Sequence, residues 1–440
     1  MHTVPLAARR MIYGRLVVHG MHLVLWALDT LIAHTGQFSI KSIKTRFHSP
    51  VFEGETIVLD HQKDGDKHII FLLSNQKLKA KIDVITSAPL PTTKPLRQES
   101  PTVTCQALTA ESILDAKGCF PICHNKETSQ RLFPKLTDCL DQNQLASLSA
   151  LSQLVGMHCP GLNSIFSSFE ATAGAAEDNN AHYELTRFDE RFTFAQIAFS
   201  FPNLSGSLQA FLRPDQVQQP SCRDLAKLVK NREFSHLHAL VVGGSRGIGE
   251  VTAKLLAAGG ADVHLTYSRG KKDAEQVCQE ISATGGKCSS FRYDALDADS
   301  TPVNFDGEWS PNAIFYYPTP PIFQGNSDSF SPDLFKQFND FYVNGFLTLL
   351  ERLPEQDMTI LYPSSVAVDE IPQDMGEYAS AKAAGETMCA FLSATKKHLT
   401  IHCPRLPRLH TDQTVSLSPV KNNAPVEIML PLLRTHFNSQ

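Results

Sequence analysis

Tyr378 and Lys382 stand four residues apart, so a helix would place both on one face, and Ser365 precedes the tyrosine by thirteen residues. A phenol is a weak acid at neutral pH and an ammonium beside it favours its anion, so such a pair suits proton transfer to an oxygen. Upstream, Gly243-Gly244-Ser245-Arg246-Gly247-Ile248-Gly249 directly follows the apolar stretch His238 to Val242. Gly243, Gly247 and Gly249 permit a tight turn and let backbone N–H groups approach a pyrophosphate. With Ser245, Arg246 and Ile248 they bring a helix N-terminus onto that anion. Where an NAD-preferring fold puts an acidic residue against the ribose 2'-hydroxyl, this chain has Ser268-Arg269, then Lys271 and Lys272. Basic groups there, with Arg246, suit a 2'-phosphate, and NADP(H) is the dinucleotide expected. Asp294, closing the next strand, is placed to meet the adenine edge.

The elements that must carry these residues alternate. His238 to Val242, Asp262 to Tyr267, Cys288 to Tyr293 and Ala313 to Tyr317 read as strands, with helices over Gly249 to Ala258 and Asp273 to Thr284. That order predicts an α/β, Rossmann-type, doubly wound parallel sheet with helices on both faces. The N-terminal half reads differently, as α+β. A helix over residues 21–33 precedes strands over Ser42 to Phe52, residues 55–62 and residues 67–75, with turns at Glu53-Gly54 and Asp64-Gly65. Pro89, Pro91, Pro95 and Pro101 mark a linker. A second helix, Leu140 to Val155, then precedes strands Ser164 to Thr172, Ala181 to Arg187, Arg191 to Phe201 and Ser207 to Leu212, repeating the first pattern.

Over residues 235–415 the chain resembles the short-chain dehydrogenase/reductase family. Gly243, Gly247 and Gly249 match its cofactor loop, Tyr378-Ala379-Ser380-Ala381-Lys382 its YxxxK motif, and Asn344 its fourth catalytic position. The resemblance implies that a ketone reduced by hydride becomes an alkoxide that Tyr378 protonates. Lys382 lowers the phenol's pKa and holds the nicotinamide ribose, Ser365 bonds the carbonyl oxygen, and Asn344 fixes a water leading to the lysine. Departures are present. Tyr316-Tyr317-Pro318-Thr319 stands where the family carries Asn-Asn-Ala-Gly, Val242 replaces a threonine, and Leu406-Pro407 replaces Pro-Gly, although Thr411-Asp412 follows suitably, with Thr411 toward the cofactor.

Val17-Val18-His19-Gly20-Met21 and the run Lys41 to Thr56 resemble a MaoC-type hot-dog fold, and Val155 to Pro214 a diverged second copy. The implied organisation is a hot-dog domain over residues 1–90, a linker over 91–130, a second hot-dog over 131–220, and the reductase domain over 235–440. A hot-dog helix wrapped by strands shelters an acyl thioester, which fits a neighbouring reductase of 3-oxoacyl groups on coenzyme A or acyl carrier protein. Two alternatives stand beside that function: a bifunctional hydratase or dehydratase and ketoreductase, and a non-catalytic nucleotide-binding scaffold. A hydratase of this type uses an Asp and a His on a loop before the helix. The imidazoles available are His19, His22 and His158, with Asp29 as the carboxylate. Hot-dog sheets and reductases of this family both tend to pair, which implies a homo-oligomer.

Composition narrows the partners. Of 440 residues, 42% are hydrophobic and 19% charged, enough for sizeable cores and against disorder as the dominant state. Forty basic against forty-five acidic residues leave a charge of -5 with no long like-charge run, against a nucleic-acid binder. Ten scattered cysteines lack a disulfide framework, which suits a reducing cytoplasm, and Cys119, Cys123 and His124 lack the matching pair of a metal site, so no metal is expected. Leu16 to Ala33 is the most apolar N-terminal stretch, but His19, His22 and Asp29 make it a buried helix rather than a membrane anchor.

Overall fold

The computed structural model describes residues 15–31, 37–88, 96, 105–174, 178–214, 216–297, 309–416 and 420–438; the four linker prolines lie outside them. The chain divides into two compact units, Met1–Asp215 with Ser416–Pro419, and Gln216–Val415 with Val420–Gln440.

In the first unit nine strands form a single sheet: β1 (Ser39–Phe47), β2 (Val58–Asp64), β3 (Lys67–Ser74), β4 (Lys77–Ser87), β5 (Lys117–Pro121), β6 (Ser164–Thr172), β7 (Asn180–Asp189), β8 (Phe194–Phe201) and β9 (Leu204–Leu212). Their spatial order is β2-β3-β4-β1-β6-β9-β8-β7-β5, antiparallel at each step. Alternate residues of β3 and β8 are buried, the period-two pattern of a sheet with one covered face. The covering helices are Gly20–Leu31, which buries Met21, Val24, Leu25, Ala27 and Leu28, and Gln142–Gln153, N-capped by Asp141. Buried Gln144 on the second helix accepts from Ile40 N–H at 2.7 Å and donates to its carbonyl at 2.8 Å. Its amide thereby replaces a strand partner where β1 extends beyond its pairing with β6, which starts at Ser42.

Two expectations need correction here. The proposed linker over residues 91–130 contributes an edge strand, β5, and a helix, Lys126–Leu132, and buries Ile113, Phe120 and Ile122. The first strand begins at Ser39 and ends at Phe47 rather than running from Ser42 to Phe52. The leading helix ends its described span at Leu31, twelve residues long. Among the described residues no helix is long and apolar enough to cross a membrane.

The second unit holds a parallel sheet of β10 (His238–Val242), β11 (Asp262–Tyr267), β12 (Lys287–Arg292), β13 (Ala313–Tyr316), β14 (Met358–Leu361) and β16 (Leu399–His402), in the order β12-β11-β10-β13-β14-β16. β15 (Ser364–Ser365) and β17 (Arg405–Leu406) form a separate short parallel pair. Both faces are covered. Ala239 and Val241 of β10 join a core with helices Gly247–Ala258, Lys271–Ala283 and Pro425–Phe437, whereas Leu240 and Val242 join one with helices Pro332–Asn339, Gly345–Glu351 and Gly376–Thr395. This is the doubly wound parallel arrangement expected.

Gly206 in β9 lies between β6 and β8, where a β-carbon would sit 2.0 Å from the Glu170 carbonyl oxygen. Gly206→Val is expected to lower the unfolding free energy by about 1–3 kcal/mol or more, measured as a lower denaturant midpoint of the full chain; an unchanged midpoint would mean that β6 and β9 are not in this register.

Candidate active site

In an open parallel sheet the connections at the carboxyl ends of the strands build the ligand crevice. The loop after β10 is the glycine-rich one. Gly243 and Gly247 have φ of 79° and 60°, values that favour residues without a β-carbon. At Gly249 a β-carbon would lie 2.3 Å from the Gly243 carbonyl oxygen, so only glycine lets the helix start so close to the strand. Arg246 precedes that helix in extended conformation without a side-chain cap, leaving first-turn amides directed at the loop mouth. Val242 stands where the family has a threonine, and Thr266 of β11 ties the loop down: its hydroxyl accepts from Gly243 N–H at 3.1 Å and its carbonyl from Gly244 N–H at 3.0 Å. Ser245 and Ile248 are half-buried in the same turn.

Around this loop the structure gathers several of the expected residues. Thr411 packs against Gly247, its methyl group 3.6 Å from a β-carbon built there. Arg246 pairs with Asp412 at 4.0 Å, so its charge is shared within the site. Ser268, after β11, donates to Asp294 Oδ2 at 2.9 Å, while Arg269 is exposed beside it. Tyr317, in the segment that departs from the family, sits 2.8 Å from the Thr252 hydroxyl on the loop's helix.

The second cluster follows β14. Lys382, on helix Gly376–Thr395, is buried and donates to the Pro363 carbonyl at 2.8 Å. Tyr378 is buried one turn before it, with the Ser365 side chain as the polar group acting on its phenol. Burial raises the phenol above its ordinary range, the Ser365 contact partly offsetting this. Burial also pushes Lys382 down to about 7. Lys382 is not among the groups that shift the phenol, whose burial favours its protonated form. Behind the pair Glu386 is clamped by the Arg405 guanidinium at 2.8 and 2.6 Å and accepts from Ser364, and Arg405 also binds Asp369. This network fastens β15 to β17 and so fixes the strand carrying Ser365.

Asn344 is not part of the cluster. It is exposed, and its amide donates to Asp340 Oδ1 at 2.9 Å. Residues Asp340–Asn344 form a π-helical turn, which shifts the helical register and presents Tyr342 inward instead. The Lys382 Nζ lies 3.9 Å from the Tyr342 ring centre. Tyr342, Tyr362, Glu386 and Arg405 went unread in the sequence; a tyrosine every few residues before a Gly-Phe pair resembles ordinary core. In the first unit Asp29 accepts from Leu136 N–H at 2.7 Å, His19 bonds Ser152 at 3.0 Å, and His22 and His158 pack against Phe133 and Phe120. The structure thus brings no His–Asp pair together among them. Among the described residues no group of three or more His, Cys, Asp or Glu could hold a metal ion.

The family model for short chain dehydrogenase matches residues 237–305, from β10 through the Asp294 turn. The chain is 28% identical over 210 residues to an oxidoreductase of Escherichia coli K12, YgfF, spanning 43% of this chain and 85% of that protein. It is 43% identical over 61 residues to a 3-oxoacyl-[acyl-carrier-protein] reductase of Synechocystis, spanning 14% of this chain and 25% of that one. A solved short chain dehydrogenase of Burkholderia cenocepacia in complex with NADP is 20% identical, with a TM-score of 0.38 covering 47% of this chain and 92% of that chain. The matches place a short chain dehydrogenase segment over residues 237–305, in the second unit, and make the chain similar to oxidoreductases.

Asn344→Ala is expected to leave the unfolding free energy within about 0.5 kcal/mol of the parent, read from chemical denaturation; a loss of several kcal/mol would place that side chain in the core.

Proposed function

We propose that the protein reduces the 3-oxo group of an acyl thioester with NADPH. The observation that carries the reading is the buried Tyr378 and Lys382 one turn apart on one helix, with Ser365 the polar side chain acting on the phenol, at the same carboxyl edge of the parallel sheet as the glycine loop. The loop fits a dinucleotide, because Gly249 lets the helix start close against the strand and the N-cap residue places no side chain on the first-turn amides. Gly243, Ser245, Arg246, Gly247, Ile248, Gly249 and Thr411 would hold its phosphates and ribose, with Ser268, Arg269 and Asp294 at the adenosine end. When bound, NADPH supplies a hydride to the carbonyl carbon. Ser365 orients the carbonyl oxygen, and Tyr378, kept protonated by burial, donates the proton that oxygen needs. Lys382 supplies a positive charge near the developing alkoxide, worth most in a site that excludes water.

The acyl thioester is supported by the short but close likeness to carrier-protein reductases, and by the N-terminal unit, which we read as the double hot-dog region: one continuous antiparallel sheet with a helix from each repeat packed on it. Its role in this reading is acyl binding or pairing of copies, not hydration, since Asp29 and the three histidines are engaged elsewhere.

The direct test is NADPH oxidation against a panel of 3-oxoacyl thioesters on coenzyme A and on carrier protein; tight NADPH binding without turnover would favour the scaffold instead. Tyr378→Phe is expected to lower kcat by about 10²–10⁴-fold with NADPH affinity retained, and a full rate in that variant would remove the phenol as donor. The pH dependence follows from Lys382. Its ammonium is present below about 7 and lost above it, so kcat should fall as pH rises through neutrality, while the raised Tyr378 contributes no loss there. A profile level from pH 6 to pH 9 would contradict this.

A further inference from the structure

Lys382 is an ammonium buried without a carboxylate in hydrogen-bond contact. Its one hydrogen-bond acceptor among the described residues is the Pro363 carbonyl. What faces it otherwise is aromatic: Nζ lies 3.9 Å from the Tyr342 ring centre, 5.6 Å from that of Tyr362 and 6.0 Å from that of Tyr378. The remaining groups acting on it are Glu386 on its own helix, already held by Arg405, and the thiols of Cys389 and Cys403. A cation over a ring face is attracted by the ring's quadrupole, most strongly where both are desolvated.

The Tyr342 ring is itself fixed. Its hydroxyl lies 2.6 Å from Thr319 Oγ1, its backbone carbonyl accepts from the Tyr362 hydroxyl at 2.8 Å, and the preceding carbonyl, of Phe341, accepts from Tyr316 at 2.7 Å. Two glycines leave room for these tyrosines. A β-carbon at Gly385 would lie 2.2 Å from the Tyr362 hydroxyl, and one at Gly345 2.9 Å from that of Tyr316. Tyr316 and Thr319 both belong to Tyr316-Tyr317-Pro318-Thr319, the segment that departs from the family's turn, so the unusual segment and the π-helical turn are joined through two hydroxyl contacts.

We propose that Tyr342 is a positioning residue whose ring face seats the Lys382 ammonium and favours its charged form, with Thr319 holding that ring in register. The inference rests on the reading of Lys382 as the reductase lysine. Burial opposes the charge on Lys382, and in this proposal the attraction of the ring face offsets part of that opposition.

The test is an NMR titration of the full chain labelled with ¹³C at lysine Cε, with the Lys382 signal assigned by its loss in Lys382→Arg. This needs neither cofactor nor turnover. Tyr342→Phe keeps the ring and should leave the Lys382 midpoint nearly in place. Tyr342→Leu removes the ring and should lower the midpoint by roughly one pH unit, about a tenfold smaller charged fraction above it. The falling limb of the kcat profile should move by the same amount. Should the leucine variant fail to fold, pentafluorophenylalanine at position 342 keeps the ring's shape while reversing its face polarity, and should give the same downward shift relative to Tyr342→Phe. Midpoints equal in the ring-bearing and the ring-less or fluorinated proteins would overturn the proposal. A shift in a protein that reduces no carbonyl would leave the seat standing and remove the reductase reading, so the two failures are distinguishable.

Discussion

An ammonium buried with one carbonyl and a set of aromatic rings is the constraint on which the second unit's site depends. Desolvation works against its charge, and no carboxylate bonds it directly, so its position has to come from packing. The elements that supply this are specific. The helix Gly376–Thr395 holds Lys382 and Tyr378 one turn apart, the β15–β17 pair fixes Pro363 and Ser365, and the π-helical turn over Asp340–Asn344 brings Tyr342 to the ammonium. Glu386 and Arg405 neutralise each other behind it, which keeps the strongest nearby carboxylate from pairing with Lys382.

The parallel sheet explains why the two clusters share an edge. Strands that run the same way end together: the glycine loop, Ser268, Asp294 and Tyr317 follow strands of one sheet, and Ser365 and Thr411 lie in or beyond the short β15–β17 pair that comes after β14 and β16. Burial on both faces holds those ends rigid, so loop residues can be positioned by a frame they do not themselves stabilise. The raised phenol then suits a proton donor better than a base: it stays protonated until an oxygen beside it becomes more basic than it is.

Much of this was legible in the chain. The glycine spacing, the YxxxK pair and the strand–helix alternation are local patterns, and β10, β11 and the helices beside them fall within about two residues of where periodicity puts them. What failed depends on tertiary context. Asn344 matched the family's fourth catalytic position by resemblance; the structure exposes it beside Asp340 on a π-helical turn that buries Tyr342, and no local pattern announces that turn. Thr266, on the neighbouring strand, accepts from the loop's first amide, a contact between strands that leaves no local signal. The strand β5 was hidden because it is short, ends in Pro121 and buries only Phe120 fully, as an edge strand does. Arg246 read as a free cation, whereas Asp412, far away in sequence, pairs with it. In the first unit the repeat of helix and strands was visible, but the joining of both sets into one sheet through β1 and β6 was not, since pairing between distant strands leaves no local signal.

The most direct measurement is a crystal structure of the chain with NADP⁺ and an unreactive 3-hydroxyacyl thioester. The account predicts the substrate oxygen within about 3.5 Å of the Tyr378 hydroxyl and of Ser365, with the nicotinamide on the same side and the phosphates against the amides following Gly243. A dinucleotide excluded from the loop by Tyr317, or a nicotinamide lying away from Tyr378, would contradict it.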